Sequence, residues 1–221
     1  MIIQKERDRP FRLLVSSGLF VFLAAVVMAQ SGLLEFIDSV LIQAVQKHQS
    51  GTKEAVMKLI SSLSSPTFDI IWVLIIAFLL WGFKYRIPAL WALGTLIGGD
   101  VIATLVKHIV ARPRPIGHLA SDNGFSFPSG HVFGMTLIIA ILWIVVVPMI
   151  KKDWQAILVR TVMIIWLILL ALSRVYLGAH YPTDTIGAML LAYAWLQISE
   201  WLYLWLAPKL AHVKLLNRSS Y

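Results

Sequence analysis

The stretch that decides the architecture is Pro128-Ser129-Gly130-His131, followed at once by VFGMTLIIAILWIVVVPMI, residues 132–150. The second part holds no charged residue and approaches the roughly 20 residues that a helix needs to cross a hydrocarbon core. The first part sets a helix start against it. Ser129 is placed as an N-cap, and Gly130 lets a ligand approach the backbone. The free N–H groups and positive dipole end of such a start form an anion site, with His131 in the first turn. A membrane-spanning helix therefore opens on groups that suit a bound anion.

Five more apolar runs lie around it, at about 11–30, 67–83, 87–107, 156–173 and 184–206. Of the 221 residues, 59% are hydrophobic and 14% charged, where a soluble domain carries about 25% charged residues. The expected fold is all-α: a polytopic membrane protein with a six-transmembrane-helix bundle, forming one unit over residues 1–221. A signal peptide is the rival reading of the first run, with Val27-Met28-Ala29 as a weak cleavage match, but the run is long for a signal sequence. Residues 31–65 are too polar to span. Leu33, Leu34, Phe36, Ile37, Val40, Leu41, Ala44 and Val45 recur at helical spacing, with Glu35, Asp38, Gln43 and Gln46 on the other face. Val56, Leu59, Ile60 and Leu63 form a weaker stripe. These read as short interfacial helices between the first and second spans, bordering a lipid entrance, or as plain packing against the bundle.

The net charge is +8. Most of the excess lies next to apolar runs, which marks topology and gives no sign of a nucleic-acid partner. With the N-terminus inside, twelve of the 19 Lys and Arg residues fall on inner segments and seven on outer ones. The positive-inside rule then places both termini in the cytoplasm of a multi-pass cell-membrane protein, with 107–131 and 174–184 together on the outer face. Trp81, Tyr85, Trp154, Trp201 and Trp205 fall near the cytoplasmic ends, as an aromatic belt does. Cysteine is absent, so disulfides, thiolate metal sites and a Cys nucleophile are excluded.

The polar breaks between runs carry the chemistry. Lys107 ends one run, and Arg112-Pro113-Arg114-Pro115 follows as an extended cationic stretch, because each proline disfavours helix at the residue before it. Ser173-Arg174 ends another run. His180, Tyr181, Pro182, Thr183 and Asp184 then lead into the last one, with Pro182 suited to a first helical turn. His180 and Asp184 are four apart and share a face if helical. A carboxylate on one imidazole nitrogen sets the tautomer and raises the basicity of the other nitrogen, which describes an oriented nucleophile or base. Charge neutralisation, a nucleophile and a proton donor are what phosphoryl transfer needs.

The pattern Lys107-x6-Arg114-Pro115, Pro128-Ser129-Gly130-His131 and Ser173-Arg174-x5-His180-x3-Asp184 resembles the three-part signature of the type 2 phosphatidic acid phosphatase (PAP2) family. Every fixed position, the order and the spacing agree. The resemblance implies that His180 forms a phosphohistidine, that Asp184 orients it, and that His131 protonates the leaving group and then activates water. Lys107, Arg114 and Arg174 are implied to hold the phosphate, with Ser129 and the Gly130 N–H completing the cradle. No metal or other cofactor is implied. The substrate class is a membrane phospholipid or isoprenoid phosphate, such as phosphatidic acid, phosphatidylglycerophosphate or undecaprenyl pyrophosphate, in the bilayer and with no obligate protein partner.

Other readings remain beside this one. By residue type His131, His180 and Asp184 are also candidate zinc ligands, although three nearby cations would repel the ion. A head-group phosphotransferase would use the same motif, and an anion transporter or channel would use the same cations. Arg112 lies outside the motif spacing and is expected at the surface or on a lipid head group. His108 and His118 are not expected in catalysis, and His48 and His212 read as ordinary polar residues. Asp100 and Glu200 fall inside spans, where a carboxylate is a functional hypothesis by default. Asp100 precedes Lys107 by two helical turns and either braces that lysine or makes a buried structural hydrogen bond.

Overall fold

Proline and glycine punctuate the helices in the computed structural model, which describes residues 2–116, 123–216 and 219–220. Among these residues the chain is all-helical. The elements are α1 (Arg9–Met28), α2 (Gly32–Gln46), α3 (Gly51–Leu63), α4 (Pro66–Gly82), α5 (Arg86–Val110), α6 (Gly130–Val145), α7 (Asp153–Tyr176) and α8 (Pro182–Leu210), with a short 3-10 turn at Val147–Met149. Prolines occupy the first turn of α1, α4 and α8, where their missing N–H costs no hydrogen bond. His118 and Arg218 lie outside the described residues.

Four segments are long and apolar enough to cross a membrane: α1, α5, α6 with its 3-10 extension, and α7. The pair α3 and α4, bent by 50° at a short break, makes a fifth if taken as one span. α8 is 29 residues long but carries Thr183, Asp184, Gln197, Ser199 and Glu200 among its buried residues, and it falls outside that set. It is the central helix, packing against α1, α5 and α6. Both stripes of the 31–65 segment form helices. α2 packs against α7 and α8, and α3 against α7. α2 leaves Leu33, Phe36, Ile37, Val40 and Leu41 exposed.

Small residues let the helices approach closely. A methyl group built on Gly187 of α8 would lie 2.5 Å from the ring of Phe127. That ring is fully buried and stacks on Phe20 of α1 at 5.8 Å. Because Phe127 directly precedes Pro128-Ser129, overpacking here strains the start of α6. Gly187→Ala is expected to cost about 1–3 kcal/mol, measured as a lower melting temperature in detergent. An unchanged melting temperature would show that Phe127 has room to move.

The two carboxylates that the sequence reading places inside spans have identifiable surroundings. Glu200 accepts a hydrogen bond from Arg9 Nε at 2.8 Å, and both side chains are buried. Asp100 is exposed on α5 and makes neither the expected buried hydrogen bond nor a pair with Lys107 among the described residues. Its neighbour is Asp69 of α4, close enough to interact electrostatically. Asp69 is 2% exposed, with its carboxylate in the notch that Gly134 leaves on α6.

Candidate active site

The site forms where the α5–α6 and α7–α8 breaks meet. Ala111 takes a left-handed conformation (φ 49°), which turns the chain out of α5. Pro113 and Pro115 keep it extended. The Ser126 N–H donates to Arg112 O at 2.8 Å, and Ser126 Oγ donates to Pro113 O at 3.0 Å, which ties this strip to the segment before α6. The Arg114 fork then joins the two breaks. Nε donates to Gly124 O at 3.0 Å, Nη2 to Asn123 O at 3.2 Å and Nη1 to Ala179 O at 2.8 Å. Nη1 also lies 3.3 Å from His180 Nε2.

α7 continues past the expected end at 173, so Ser173 and Arg174 lie within its last turns. Gly178 (φ 65°) then reverses the chain. The N–H groups of Ala179 and His180 donate to Arg174 O at 3.0 and 3.3 Å. His180 consequently precedes α8 and does not share a helical face with Asp184. The two meet because Asp184, in the first turn of α8, folds its carboxylate back. Its Oδ2 accepts from the Tyr181 N–H at 2.9 Å and lies 3.5 Å from His180 Nδ1. With Arg114 donating to Nε2, the ring proton sits on Nδ1 facing Asp184. Burial, partly opposed by Asp184, pushes His180 down to about 3. The imidazole is therefore neutral near pH 7, with a lone pair on Nε2.

The remaining motif residues gather at the same place. Ser129 is fully buried, and its N–H donates to Asp184 O at 3.2 Å, joining the starts of α6 and α8. Ser129 does not cap α6 with its side chain as expected. Its N–H is committed to α8, and its Oγ has no hydrogen-bond partner among the described residues. A side chain at Gly130 would meet open space, so this backbone is approachable. His131 lies within electrostatic reach of Lys107 and Arg114, and Lys107 within reach of Arg114, Arg174 and Asp184. Arg174 is 2% exposed and donates to Ser61 Oγ of α3. Among the described residues, no three His, Asp or Glu side chains are grouped as metal ligands are.

Arg112 corrects the sequence reading. Its side chain is 10% exposed and has no surface role. Nη1 donates to Asp184 Oδ1 at 2.7 Å and to Thr183 Oγ1 at 2.8 Å, and Nη2 donates to Asp38 Oδ2 at 2.7 Å. The guanidinium lies over the Tyr181 ring, 3.8 Å from its centroid. Burial alone would lower Arg112, but Asp184 and Asp38 outweigh it and hold the group above its ordinary value. The signal was available: in an extended stretch residues two apart point to one side, so Arg112 faces the way Arg114 does. The segment 31–65 also supplies polar contacts that the sequence did not reveal. Gln46 Nε2 donates to Val175 O and Tyr176 O at 3.2 and 3.1 Å, and the Ser50 N–H donates to the Tyr176 hydroxyl at 3.3 Å.

A model of the PAP2 superfamily matches residues 88–208. Phosphatidylglycerophosphatase B of Haemophilus influenzae is 27% identical over 165 residues, covering 52% of this chain and 68% of that protein. The Escherichia coli K12 protein of the same name is 28% identical over 103 residues, which is 44% of this chain and 39% of the relative. The Bacillus subtilis one is 32% identical over 87 residues, or 38% and 42%. The chain thus spans well under half the length of these last two relatives. A crystal structure of a transmembrane PAP2 type phosphatidylglycerolphosphate phosphatase from Bacillus subtilis superposes with a TM-score of 0.76 at 22% identity, covering 92% of this chain and all of that one. The crystal structure of Aquifex aeolicus LpxE gives 0.55 at 17% identity, covering 74% and 92%. Both likenesses are of fold.

Proposed function

Because this chain belongs to the PAP2 superfamily, we propose that it is a membrane lipid phosphatase. It hydrolyses the phosphomonoester or pyrophosphate head group of a lipid through a phosphohistidine on His180. The observation that carries this reading is the His180 ring itself, buried, with Nδ1 directed at Asp184 and Nε2 directed at Arg114. In the first step Arg114 exchanges its contact with Nε2 for the phosphate oxygens, and the freed Nε2 lone pair attacks phosphorus as the bond to the lipid oxygen breaks. His131, protonated once the bound phosphate offsets the charge of Lys107 and Arg114, gives that oxygen its proton. In the second step water loses a proton to His131 and attacks the phosphohistidine, releasing inorganic phosphate. Asp184 balances the charge that the imidazole gains. Lys107, Arg114 and Arg174, with Ser129 and the N–H of Gly130 at the start of α6, offset the negative charge on the phosphoryl oxygens.

The membrane arrangement is part of the same proposal. α8 is the sixth span, its polar residues being turned into the bundle, and residues 1–221 act as one unit. α2 lies at the outer interface with its apolar face in lipid. Both termini are cytoplasmic and the site opens on the outer face, a placement supported by the distribution of Lys and Arg. Phosphatidylglycerophosphate, phosphatidic acid and undecaprenyl pyrophosphate are the candidate substrates, the first supported by the names of the relatives.

The test is phosphate release by the purified protein from these three lipids in parallel, with vanadate and with EDTA. Release from at least one, inhibited by vanadate and insensitive to EDTA, is the expected result. Activity lost in EDTA and restored by zinc would overturn the metal-free mechanism. Transfer of the phosphoryl group to a second lipid would identify a phosphotransferase. Anion flux in liposomes without phosphate release would identify a transporter.

A further inference from the structure

We propose that Asp38 and Arg112 are positioning residues of this site: α2, through Asp38, clamps Arg112, and Arg112 holds the Asp184 carboxylate that orients His180. The inference rests on the phosphatase reading above. It assigns a catalytic consequence to a helix that lies outside the three motifs.

Asp38 is the starting observation. It is fully buried on a helix whose neighbours Leu33, Phe36, Ile37 and Val40 are exposed. A buried carboxylate is costly unless it is paired and hydrogen-bonded, and an apolar residue would dock α2 at less cost. Asp38 has a complete set of partners. Oδ1 accepts the Thr183 N–H at 3.0 Å, and Oδ2 accepts from Thr183 Oγ1 and Arg112 Nη2, both at 2.7 Å. The Thr183 N–H is one of the unsatisfied donors at the start of α8. Asp38 therefore fixes two things at once, the first turn of α8 and the far side of the Arg112 guanidinium.

Arg112 carries that constraint to the reacting group. Its planar fork sets the direction of each bond. One edge is held by Asp38 and one face by Tyr181, so Nη1 meets Asp184 Oδ1 from a defined side. The Tyr181 N–H takes the other oxygen. Two donors on two oxygens set the plane of the carboxylate, and that plane determines what Nδ1 of His180 sees at 3.5 Å. Without Arg112, Asp38 would keep Thr183 and Asp184 would keep the Tyr181 N–H and the His180 ring, leaving two buried carboxylates with no guanidinium between them. The side chains of Asp38 and Arg112 meet Thr183, Tyr181 and Asp184, on the Nδ1 side of His180, whereas Arg114 meets the ring at Nε2, so the clamp is expected to act on the nucleophile before the phosphate cradle.

The experiment compares His180→Ala, Asp184→Asn, Asp38→Asn and the Asp184→Asn/Asp38→Asn double variant, each purified in detergent with its melting temperature, kcat and KM. His180→Ala reports on the phosphatase reading alone: turnover retained there makes that reading fail, whatever the clamp does. With His180→Ala inactive, Asp38→Asn is expected to lower kcat about 10–100-fold, the scale of a misplaced catalytic group. KM and vanadate inhibition should stay close to wild type. In the Asp184→Asn background the same change should cost no further activity. Wild-type kcat in Asp38→Asn, or losses that multiply in the double variant, would overturn the proposal. If Asp38→Asn does not fold, Arg112→Lys keeps the charge without the fork. The same selective loss of kcat is expected of it, and wild-type kcat would overturn the proposal equally.

Discussion

His180→Ala is expected to lower kcat by roughly 10^4–10^6-fold, the scale at which an enzyme loses its covalent nucleophile. The folded protein should persist. His180→Gln, closer in volume, serves as the control for the space left behind. A rapid alkaline quench in SDS after mixing with phosphate-labelled substrate should trap phosphate on the wild-type protein and none on either variant, because a phosphohistidine survives base and is lost in acid. Turnover of either variant within tenfold of wild type would remove His180 as nucleophile. A pH signature accompanies this. His180 lies at about 3 in the folded protein against an ordinary 6.5, because it is buried. Between those values the unfolded chain binds a proton that the native state refuses. The stabilisation is thus complete above 6.5 and is lost as the pH falls towards 3. His180→Gln lacks that component, so its melting temperature should fall less steeply than that of wild type over this window. Parallel slopes would show that the imidazole is not held neutral.

Replacing either partner of the Arg9–Glu200 pair by alanine is expected to cost about 3–5 kcal/mol, because the remaining charge is left buried and alone. The pair joins the first turn of α1 to α8 at 2.8 Å, with side chains 2% and 8% exposed. The second arm of Arg9, Nη2, is spent on Gln4 O at 2.9 Å. Glu200 lies about 27 Å along α8 from Pro182 at 1.5 Å per residue. The loss should therefore appear as stability and leave the chemistry alone. A melting temperature lower by on the order of 10 °C is expected in detergent, with kcat per folded molecule unchanged. The double change to Met and Leu should recover most of the loss, since a buried ion pair is replaceable by well-packed apolar side chains. Single variants as stable as wild type would mean that water reaches the pair.

Much of this was legible along the chain. Each apolar run became a helix, and Ser129, Pro182 and the Arg112–Pro115 strip lie at helix starts and breaks as local chemistry requires. Ser129 shows the limit of that reasoning. Its position at the start of α6 was clear, yet its N–H is taken by Asp184 O, fifty-five residues on in sequence, and its Oγ makes no cap. The same limit applies to α7, whose extra turn puts Arg174 inside the helix, where Ser61 of α3 meets it.

What the sequence determined by itself was the set of helices, the three motifs and their common end of the bundle, because periodicity, capping and charge next to an apolar run act over a few residues. The tertiary structure alone decided which groups Arg112 meets, and that Asp38 of α2 is one of them. The Arg112–Asp38 bond spans 74 positions and the Asp38–Thr183 bonds span 145. Nothing local distinguishes Asp38 from Glu35 or Gln43 on the same polar face of α2. Only the docking of that helix on α7 and α8 removes one carboxylate from solvent, and a carboxylate so buried must find its cation.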